Sequence, residues 1–207
     1  MPVSPPETSV PVRRGTERPA RAQRDGDASD AQGAAPAGLV LETNRLWLRR
    51  FVRSDSPFVA SMFEDDAARR FYPAMHVPAN AERWVQRNLD TYERDGFGLW
   101  VIVFKQGGAL AGDAGLMRQS IEGREEIEVG YHLHAAWRGR GIATEAARAC
   151  MDRGFANLDC PRIVSMVHPE NSASHAVCTR IHSASARFWR QGAQYFLFHT
   201  ERGSDCG

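Results

Sequence analysis

The chain has 207 residues and a formal net charge of +1 at pH 7, because 26 basic residues nearly balance 25 acidic ones. This balance excludes the strongly positive whole-protein field that favours nucleic acids. The hydrophobic fraction of 43% is enough for the sizeable core of one or two domains. No apolar run approaches the roughly 20 residues of a membrane span. We therefore expect neither nucleic acid nor membrane as a partner.

The cysteines and the N-terminal segment indicate where the protein functions. The four cysteines are far apart in the chain and form no C-x-x-C pair, so free thiols in a reducing compartment are expected. The N-terminus has no apolar core of the kind found in signal peptides. The sequence therefore predicts a soluble, cytoplasmic protein.

Composition divides the chain into three parts. Residues 1–38 hold six of the 11 prolines and no aromatic residue, so they bury too little apolar surface to offset the entropy of ordering. We predict a disordered tail over 1–38, a folded domain over 39–202 and a disordered C-terminus over 203–207.

The first third of the domain is predicted to contain one strand and two helices. Residues 39–49 alternate as in a strand with a bend at Asn44. The segment 54–57 carries a capping residue and a proline, as at a helix start. A loop over 72–78 follows, and Asn80 is predicted to cap the second helix.

The middle of the chain predicts an antiparallel meander. Residues 99–104 are continuously apolar and indicate a buried strand. Two more strands are predicted over 109–118 and 125–133. The turns between successive strands are short, which favours antiparallel pairing.

A glycine-containing loop joins the last of these strands to an alanine-rich helix. The stretch from Trp137 to Ala147 contains Gly139 and Gly141 at the point where the helix is predicted to begin. Glycine permits a close backbone approach, and the free N–H groups at a helix N-terminus attract phosphate. Arg138 and Arg140 add positive charge. The pattern is short, and a simple strand-to-helix turn explains it equally well.

The last part of the chain completes a mixed sheet. A strand over 162–168 follows the alanine-rich helix, so its pairing with strand 125–133 is expected to be parallel. Asn171 is predicted to cap a helix from Ser172 to about Ile181, and a hairpin of residues 184–189 and 194–200 closes the chain. The predicted order is β-α-α-β-β-β-α-β-α-β-β. This is an α/β fold, a mostly antiparallel mixed sheet with helices on both faces.

Four motifs in this order resemble the GNAT N-acetyltransferases, and in particular the branch named for ribosomal-protein alanine N-acetyltransferases. The resemblance covers about residues 39 to 200 and rests on Arg138-x-x-Gly141-x-Ala143, Glu128-Val129-Gly130-Tyr131, Ala143-Thr144-Glu145-Ala146 and His168-Pro169-Glu170-Asn171-x-x-Ser174. It implies the GNAT fold, acetyl-CoA as the donor and a primary amine as the acceptor, which is a protein N-terminus or a small molecule.

The resemblance also implies roles for individual residues. Asn171 would contact the pantetheine, and the backbone near His132 and Leu133 would polarise the thioester carbonyl. Strands 127–133 and 162–168 would part to form the acetyl cleft. The pyrophosphate would bind backbone N–H groups of Arg138, Gly139, Arg140, Gly141, Ile142 and Ala143.

Candidate catalytic residues follow from the chemistry of amine acetylation. A lysine-like amine near pH 7 is neutral only about once in 2,500, roughly 4.6 kcal/mol uphill, so a base helps most with such an acceptor. Glu128 is the predicted base, through a water, with Glu126 as second choice. Ser174 is the predicted acid toward the thiolate. Tyr131 suits either role, although packing in the core explains it better.

Other possibilities stay open at this stage. A non-catalytic acyl-CoA-binding sensor or scaffold of the same fold is the alternative function. His132 and His134 share a strand face, but without a cluster of further ligands no metal is expected. Tyr72, Met75 and His76 lie in a loop that lines the acceptor site in this family. The sequence fixes neither the acceptor nor the choice between monomer and homodimer.

One departure from the family pattern concerns the end of the last helix. The family usually has a glycine there, which closes the helix in a left-handed turn. This chain has His182 and Ser183 instead. The departure affects the final turn and the register of the closing hairpin, but not the predicted CoA loop.

Overall fold

The computed structural model describes residues 34–190 and 192–203. The disorder predicted for residues 1–33 and 204–207 lies outside this part. Within it, the strands are β1 (Leu39–Glu42), β2 (Leu46–Arg49), β3 (Leu99–Phe104), β4 (Leu110–Ile121), β5 (Arg124–Leu133), β6 (Arg162–Val167), β7 (Ala184–Arg190) and β8 (Ala193–Glu201). The α-helices are α1 (Ser56–Met62), α2 (Asp66–Phe71), α3 (Pro78–Asp95), α4 (Ile142–Asn157) and α5 (Ser172–Ile181).

The strands form one sheet in the order β1-β2-β3-β4-β5-β6-β8-β7. Neighbouring strands are antiparallel except β5 and β6, which are parallel, as the crossover through α4 predicts. The α/β fold class predicted from the sequence is confirmed. No helix in the described ranges is both long and apolar enough to cross a membrane.

The parallel pair β5–β6 is short and opens into a cleft. It contains only the pairs Ile127–Ile163 and Glu128–Val164, although β5 continues to Leu133. Beyond Glu128 the two strands part, so the backbone of β5 is left without a partner strand on that side.

Helices pack on both faces of the sheet. Trp100 of β3 pairs with Ala114 of β4, and the guanidinium of Arg153 from α4 lies over the Trp100 ring. The residue before Ala114 in β4, Asp113, accepts a hydrogen bond from Trp84 of α3. Adjacent strand residues point to opposite faces, so α3 and α4 cover opposite sides.

The N-terminal part of the domain differs from the prediction in three places. The bend at Asn44 is the turn of a hairpin, because Leu41 pairs with Leu48. A short helix, α2, was not predicted at all. Asn80 does not cap α3: the cap position is Val77, and the Asn80 amide donates to the Ala74 carbonyl at 2.5 Å.

The described residues include Gly38, at the end of the predicted tail. Gly38 was assigned to the tail, but its carbonyl accepts a hydrogen bond from the Arg50 N–H at 2.9 Å. Gly38 is therefore bonded to the residue that follows β2.

Candidate active site

The parted ends of β5 and β6 border a cleft of about 840 Å³. Its walls come from α1 and α2 on one side and from the starts of α4 and α5 on the other. Two predicted site residues, Glu128 and Arg140, do not line this cleft. The predicted residues that do are His132, Leu133, Arg138, Gly139, Gly141, Ile142, Ala143, Asn171 and Ser174.

The start of α4 presents backbone N–H groups to the cleft. Its N-cap is Gly141, which has φ 74° and provides no side chain to cap the helix. A left-handed conformation of this kind suits glycine. The first N–H groups of α4 therefore form the positive end of the helix at a wall of the cleft.

A set of long-range hydrogen bonds holds this loop in place. The Glu145 carboxylate accepts from the Thr43 hydroxyl at 2.6 Å and from the Arg45 backbone N–H and Nε at 3.0 and 2.6 Å. Burial opposes ionisation of Glu145, but these bonds outweigh it and lower its pKa. Arg45 Nη1 also donates to the Arg140 carbonyl at 3.1 Å. The β1–β2 turn thus fixes the glycine loop.

Arg138 has a different role from the one its charge suggests. Its guanidinium binds both oxygens of Asp65 at 2.8 and 2.7 Å and donates to the Leu133 carbonyl at 3.1 Å. Asp65 also caps α2, and the bonds from Arg138 lower its pKa to about 2. The charge of Arg138 is therefore balanced, and its side chain ties α2 to the end of β5.

The other predicted contact residues lie at the start of α5. Asn171 Oδ1 accepts from the Ser174 N–H at 3.0 Å, so the predicted cap is present. Tyr131 of β5 donates its hydroxyl to the Ser174 carbonyl at 3.1 Å, and that hydroxyl lies 3.3 Å from Cys178 Sγ. Burial raises the pKa of Tyr131. These bonds hold the first turn of α5 against β5, with Ser174 at the cleft wall.

Comparisons with known proteins decide the family. The model of the acetyltransferase (GNAT) domain matches residues 45–183. The chain belongs to the GNAT acetyltransferases. It is 30% identical over 159 residues to the Bacillus subtilis protein YkkB, covering 75% of this chain and 92% of YkkB.

Other acetyltransferases are similar to this chain in sequence or in fold. The uncharacterized N-acetyltransferase YnaD of Bacillus subtilis is 23% identical over 155 residues, covering 74% of this chain and 87% of YnaD. An Agrobacterium tumefaciens acetyltransferase superposes with a TM-score of 0.66 at 25% identity, covering 78% and 93% of the two chains. The ribosomal L7/L12 α-N-protein acetyltransferase RimL, solved with coenzyme A, gives 0.62 at 19% identity, covering 81% and 99%.

The two carboxylates proposed as bases in this GNAT chain are both buried. Glu128 stands at the last position of β5 that pairs with β6. Its carboxylate accepts from the Met166 N–H at 3.1 Å, and burial raises its pKa. That bond satisfies an amide of β6 that the parting of the strands leaves without a strand partner. Glu126 forms an ion pair with Arg162.

A histidine–aspartate pair beside the cleft was not predicted. His132 Nδ1 lies 2.7 Å from Asp113 Oδ1, and Trp84 Nε1 donates to Asp113 Oδ2 at 3.1 Å. Rings of Phe63, Tyr72 and Trp84 surround the imidazole at centroid distances of 5.7, 4.9 and 5.1 Å. A lone aspartate within the small-residue segment 111–115 was the only signal for this pair in the sequence.

A second cavity of about 400 Å³ adjoins the cleft on the side of α2 and α3. Phe71 and Tyr72 line both cavities, and Met75 lines the smaller one. The side chain of His76 lies outside the described part. Within residues 34–190 and 192–203, no group of three or more His, Cys, Asp or Glu residues could hold a metal ion.

Proposed function

We propose that the protein is an acetyl-CoA-dependent N-acetyltransferase that transfers the acetyl group to a primary amine by direct attack in a ternary complex. One observation carries the proposal: the uncapped start of α4 at Gly141 and the unpaired edge of β5 border the same cleft. The family of the chain and the coenzyme A complex of RimL support it.

The glycine loop would bind the pyrophosphate of the donor. The backbone N–H groups of residues 139–143 lie at the start of α4 and in the turn before it, whereas the N–H of Arg138 donates to the Ala135 carbonyl at 3.3 Å. Arg140 supplies positive charge that no ion pair within the described residues balances. The guanidinium of Arg140 lies over the Trp137 ring at 5.1 Å. Asn171, at the start of α5, would contact the pantetheine.

The edge of β5 would hold the thioester carbonyl. His134 N–H donates to Ala111 O at 3.0 Å, and N–H groups alternate in direction along an antiparallel strand. The N–H of Leu133 therefore points to the cleft, whereas that of His132 points to β4. Of the two residues, we assign the oxyanion role to Leu133 alone.

In the reaction, the neutral amine would attack the thioester carbonyl and the CoA thiolate would leave. Ser174 at the cleft wall is the proposed proton donor to that thiolate. Glu128 stays a candidate base, acting through a water. Buried free cysteines such as Cys150 and Cys178 suit the reducing cytoplasm, where we expect the enzyme to function.

Two measurements on the full chain test the proposal. Calorimetric titration with acetyl-CoA should show binding, and a panel of amines and N-terminal peptides should give acetyl-CoA-dependent thiol release. Binding without thiol release from any amine would favour the non-catalytic sensor. Absence of binding at high micromolar acetyl-CoA would contradict both functions.

The lining of the smaller cavity predicts the kind of acceptor. Its side chains are aromatic, aliphatic or amide-bearing except for Arg87, and none is a carboxylate. We expect benzylamine to give a kcat/KM at least about tenfold above that of spermidine, because Arg87 repels a polycation and nothing in this cavity pairs with one. The measurement is initial thiol release at saturating acetyl-CoA. Arg87→Glu should reduce the ratio of kcat/KM for benzylamine to kcat/KM for spermidine. An unchanged ratio would contradict the assignment of the smaller cavity to the acceptor.

Arg45→Ala should weaken acetyl-CoA binding about tenfold, which is roughly 1.4 kcal/mol. The change removes the side-chain bonds from Nε to Glu145 and from Nη1 to the Arg140 carbonyl that help to hold the loop. Calorimetry gives the Kd. Arg94→Ala, which removes the ion pair of an exposed arginine with Asp95, is the matched control and should leave the Kd unchanged. Equal affinities for the wild type and both variants would show that the Arg45 side chain does not shape the glycine loop.

A further inference from the structure

His132 and Asp113 form a hydrogen-bonded pair that is placed for chemistry as well as for packing. Asp113 is fully buried, and the side chain of His132 is 11% exposed. His132 lines the cleft and Asp113 does not. The imidazole therefore stands between a buried carboxylate and the space where an amine would meet the thioester.

We propose that His132, oriented by Asp113, is the base that takes the proton from the acceptor amine. This proposal rests on the acetyltransferase function proposed above and adds a catalytic residue to it. Asp113 is a positioning residue, since it touches the imidazole and not the substrate.

The partners of Asp113 determine which nitrogen of His132 carries the proton. An indole N–H can only donate, so Asp113 Oδ2 is an acceptor toward Trp84. Asp113 Oδ1 then accepts from His132 Nδ1–H across the 2.7 Å contact. In the neutral imidazole this leaves the lone pair on Nε2, which is the nitrogen free to face the cleft. The tautomer required of a base is thus set by the fold.

The surroundings of His132 and Glu128 favour His132 as the base. Glu128 does not line the cleft, and its carboxylate is bonded to the Met166 N–H. The titratable groups around His132 are Asp113 from β4, Tyr72 after α2 and Glu128 from its own strand. Burial, and then the charges of Asp113 and Glu128, raise the pKa of Tyr72 to about 12, so its hydroxyl stays protonated near neutral pH.

The proton balance is complete with the substrates alone. The ammonium form of the acceptor loses one proton to His132 Nε2, and the amine nitrogen forms a bond to the thioester carbon. The C–S bond breaks and the CoA thiolate takes up a proton. The amine nitrogen loses its second proton as the amide forms, and this proton replaces the one that Ser174 gives to the thiolate. The imidazolium, held beside the Asp113 carboxylate, then releases its proton to solvent.

Asp113→Asn tests the direction of this hydrogen bond. The Asn oxygen must accept from the Trp84 N–H, so its NH₂ group faces His132 Nδ1 and moves the imidazole proton to Nε2. We expect kcat to fall about 100-fold while the acetyl-CoA Kd stays the same, since general-base catalysis contributes about 10²- to 10⁴-fold. His132→Asn, whose amide can still donate to Asp113, should give the same loss.

A comparison of two acceptors separates catalysis from structure. In each variant, kcat should fall about 100-fold with benzylamine and less than about tenfold with aminoacetonitrile. Aminoacetonitrile is a primary amine that is mostly neutral at pH 7, so it needs little help from a base. Equal losses with the two amines would mean a structural role and would overturn the proposal. His175→Asn is the control, because His175 packs against Phe196 and Phe198 and does not line the cleft.

One measurement needs no acceptor. ¹⁵N NMR of the wild-type chain at pH 7.5 should show His132 as the Nδ1-protonated tautomer, and Asp113→Asn should convert it to the Nε2-protonated one. The Nε2-protonated tautomer in the wild type would overturn the proposal. Failure of acetyl-CoA to bind the wild type would instead overturn the acetyltransferase function, so the two failures are distinguishable.

Discussion

Gly141→Asp should weaken acetyl-CoA binding by at least about 100-fold, or about 2.7 kcal/mol, with little change in the fold. The aspartate carboxylate would lie at the first N–H groups of α4, which are the groups proposed to bind the pyrophosphate. A fixed negative charge there both occupies the donors and repels the phosphates. Calorimetric titration of the folded variant with acetyl-CoA measures the effect.

Two further variants separate charge from backbone strain. Gly141 has φ +74°, so any side chain there costs about 1–2 kcal/mol. Gly141→Ala carries this strain without the charge and should lose much less affinity. Gly123→Asp carries both the strain, at φ +78°, and the negative charge. Gly123 lies in the β4–β5 turn, at the opposite end of these strands from His132, so this variant should bind acetyl-CoA normally. Unchanged affinity in Gly141→Asp would refute the assignment of the loop.

The elements that the sequence predicted best are those with strong local signals. Helix α5 has the predicted start and end, because Asn171 caps it through a bond to a residue only three positions away. The meander β3–β4–β5 was predicted because short turns leave few alternatives to antiparallel pairing. The parallel pairing of β5 and β6 followed from the handedness and length of the crossover.

The elements that were missed depend on contacts between distant parts of the chain. Helix α2 has only six residues, too few for a hydrophobic period, and Arg138 binds its capping residue Asp65 from 73 positions away. The turn at Asn44 looked like a bend because the strands on either side are only four residues each. Neither feature leaves a periodic signal in the sequence.

The same distinction applies to the candidate site. The glycine loop and the Asn171 cap are local, so the sequence indicated them, although their proposed roles stay predictions. The pairing of His132 with Asp113 depends on the register between β4 and β5, which places the two residues directly opposite each other. No spacing within one segment reveals such a register.

The end of α5 shows how one departure from the family pattern is accommodated. His182 stands where the family usually has glycine, and its backbone is extended, with φ −111° and ψ 151°. Its ring nitrogens lie 3.0 Å from Ser165 Oγ and 3.1 Å from Thr200 Oγ1. The side chain thus joins α5 to β6 and β8, and the closing hairpin pairs with β6 through β8.

This buried histidine should make the fold sensitive to acid. Burial, helped by the charge of His199, lowers the pKa of His182 to about 4, whereas it is about 6.5 in an unfolded chain. Between these values the unfolded state binds more protons, so the free energy of unfolding falls as the pH falls from 6.5 towards 4. At pH 4.5 the loss from this group should be about 2 to 3 kcal/mol.

His182→Asn isolates this contribution, because a carboxamide does not titrate. The variant should be less stable than the wild type at pH 7.5 by about 1–2 kcal/mol, since it loses part of the hydrogen bonding to Ser165 and Thr200. At pH 4.5 that difference should vanish or reverse. Urea unfolding of both proteins at the two pH values measures it. A difference that stays constant with pH would show that His182 does not titrate in this window.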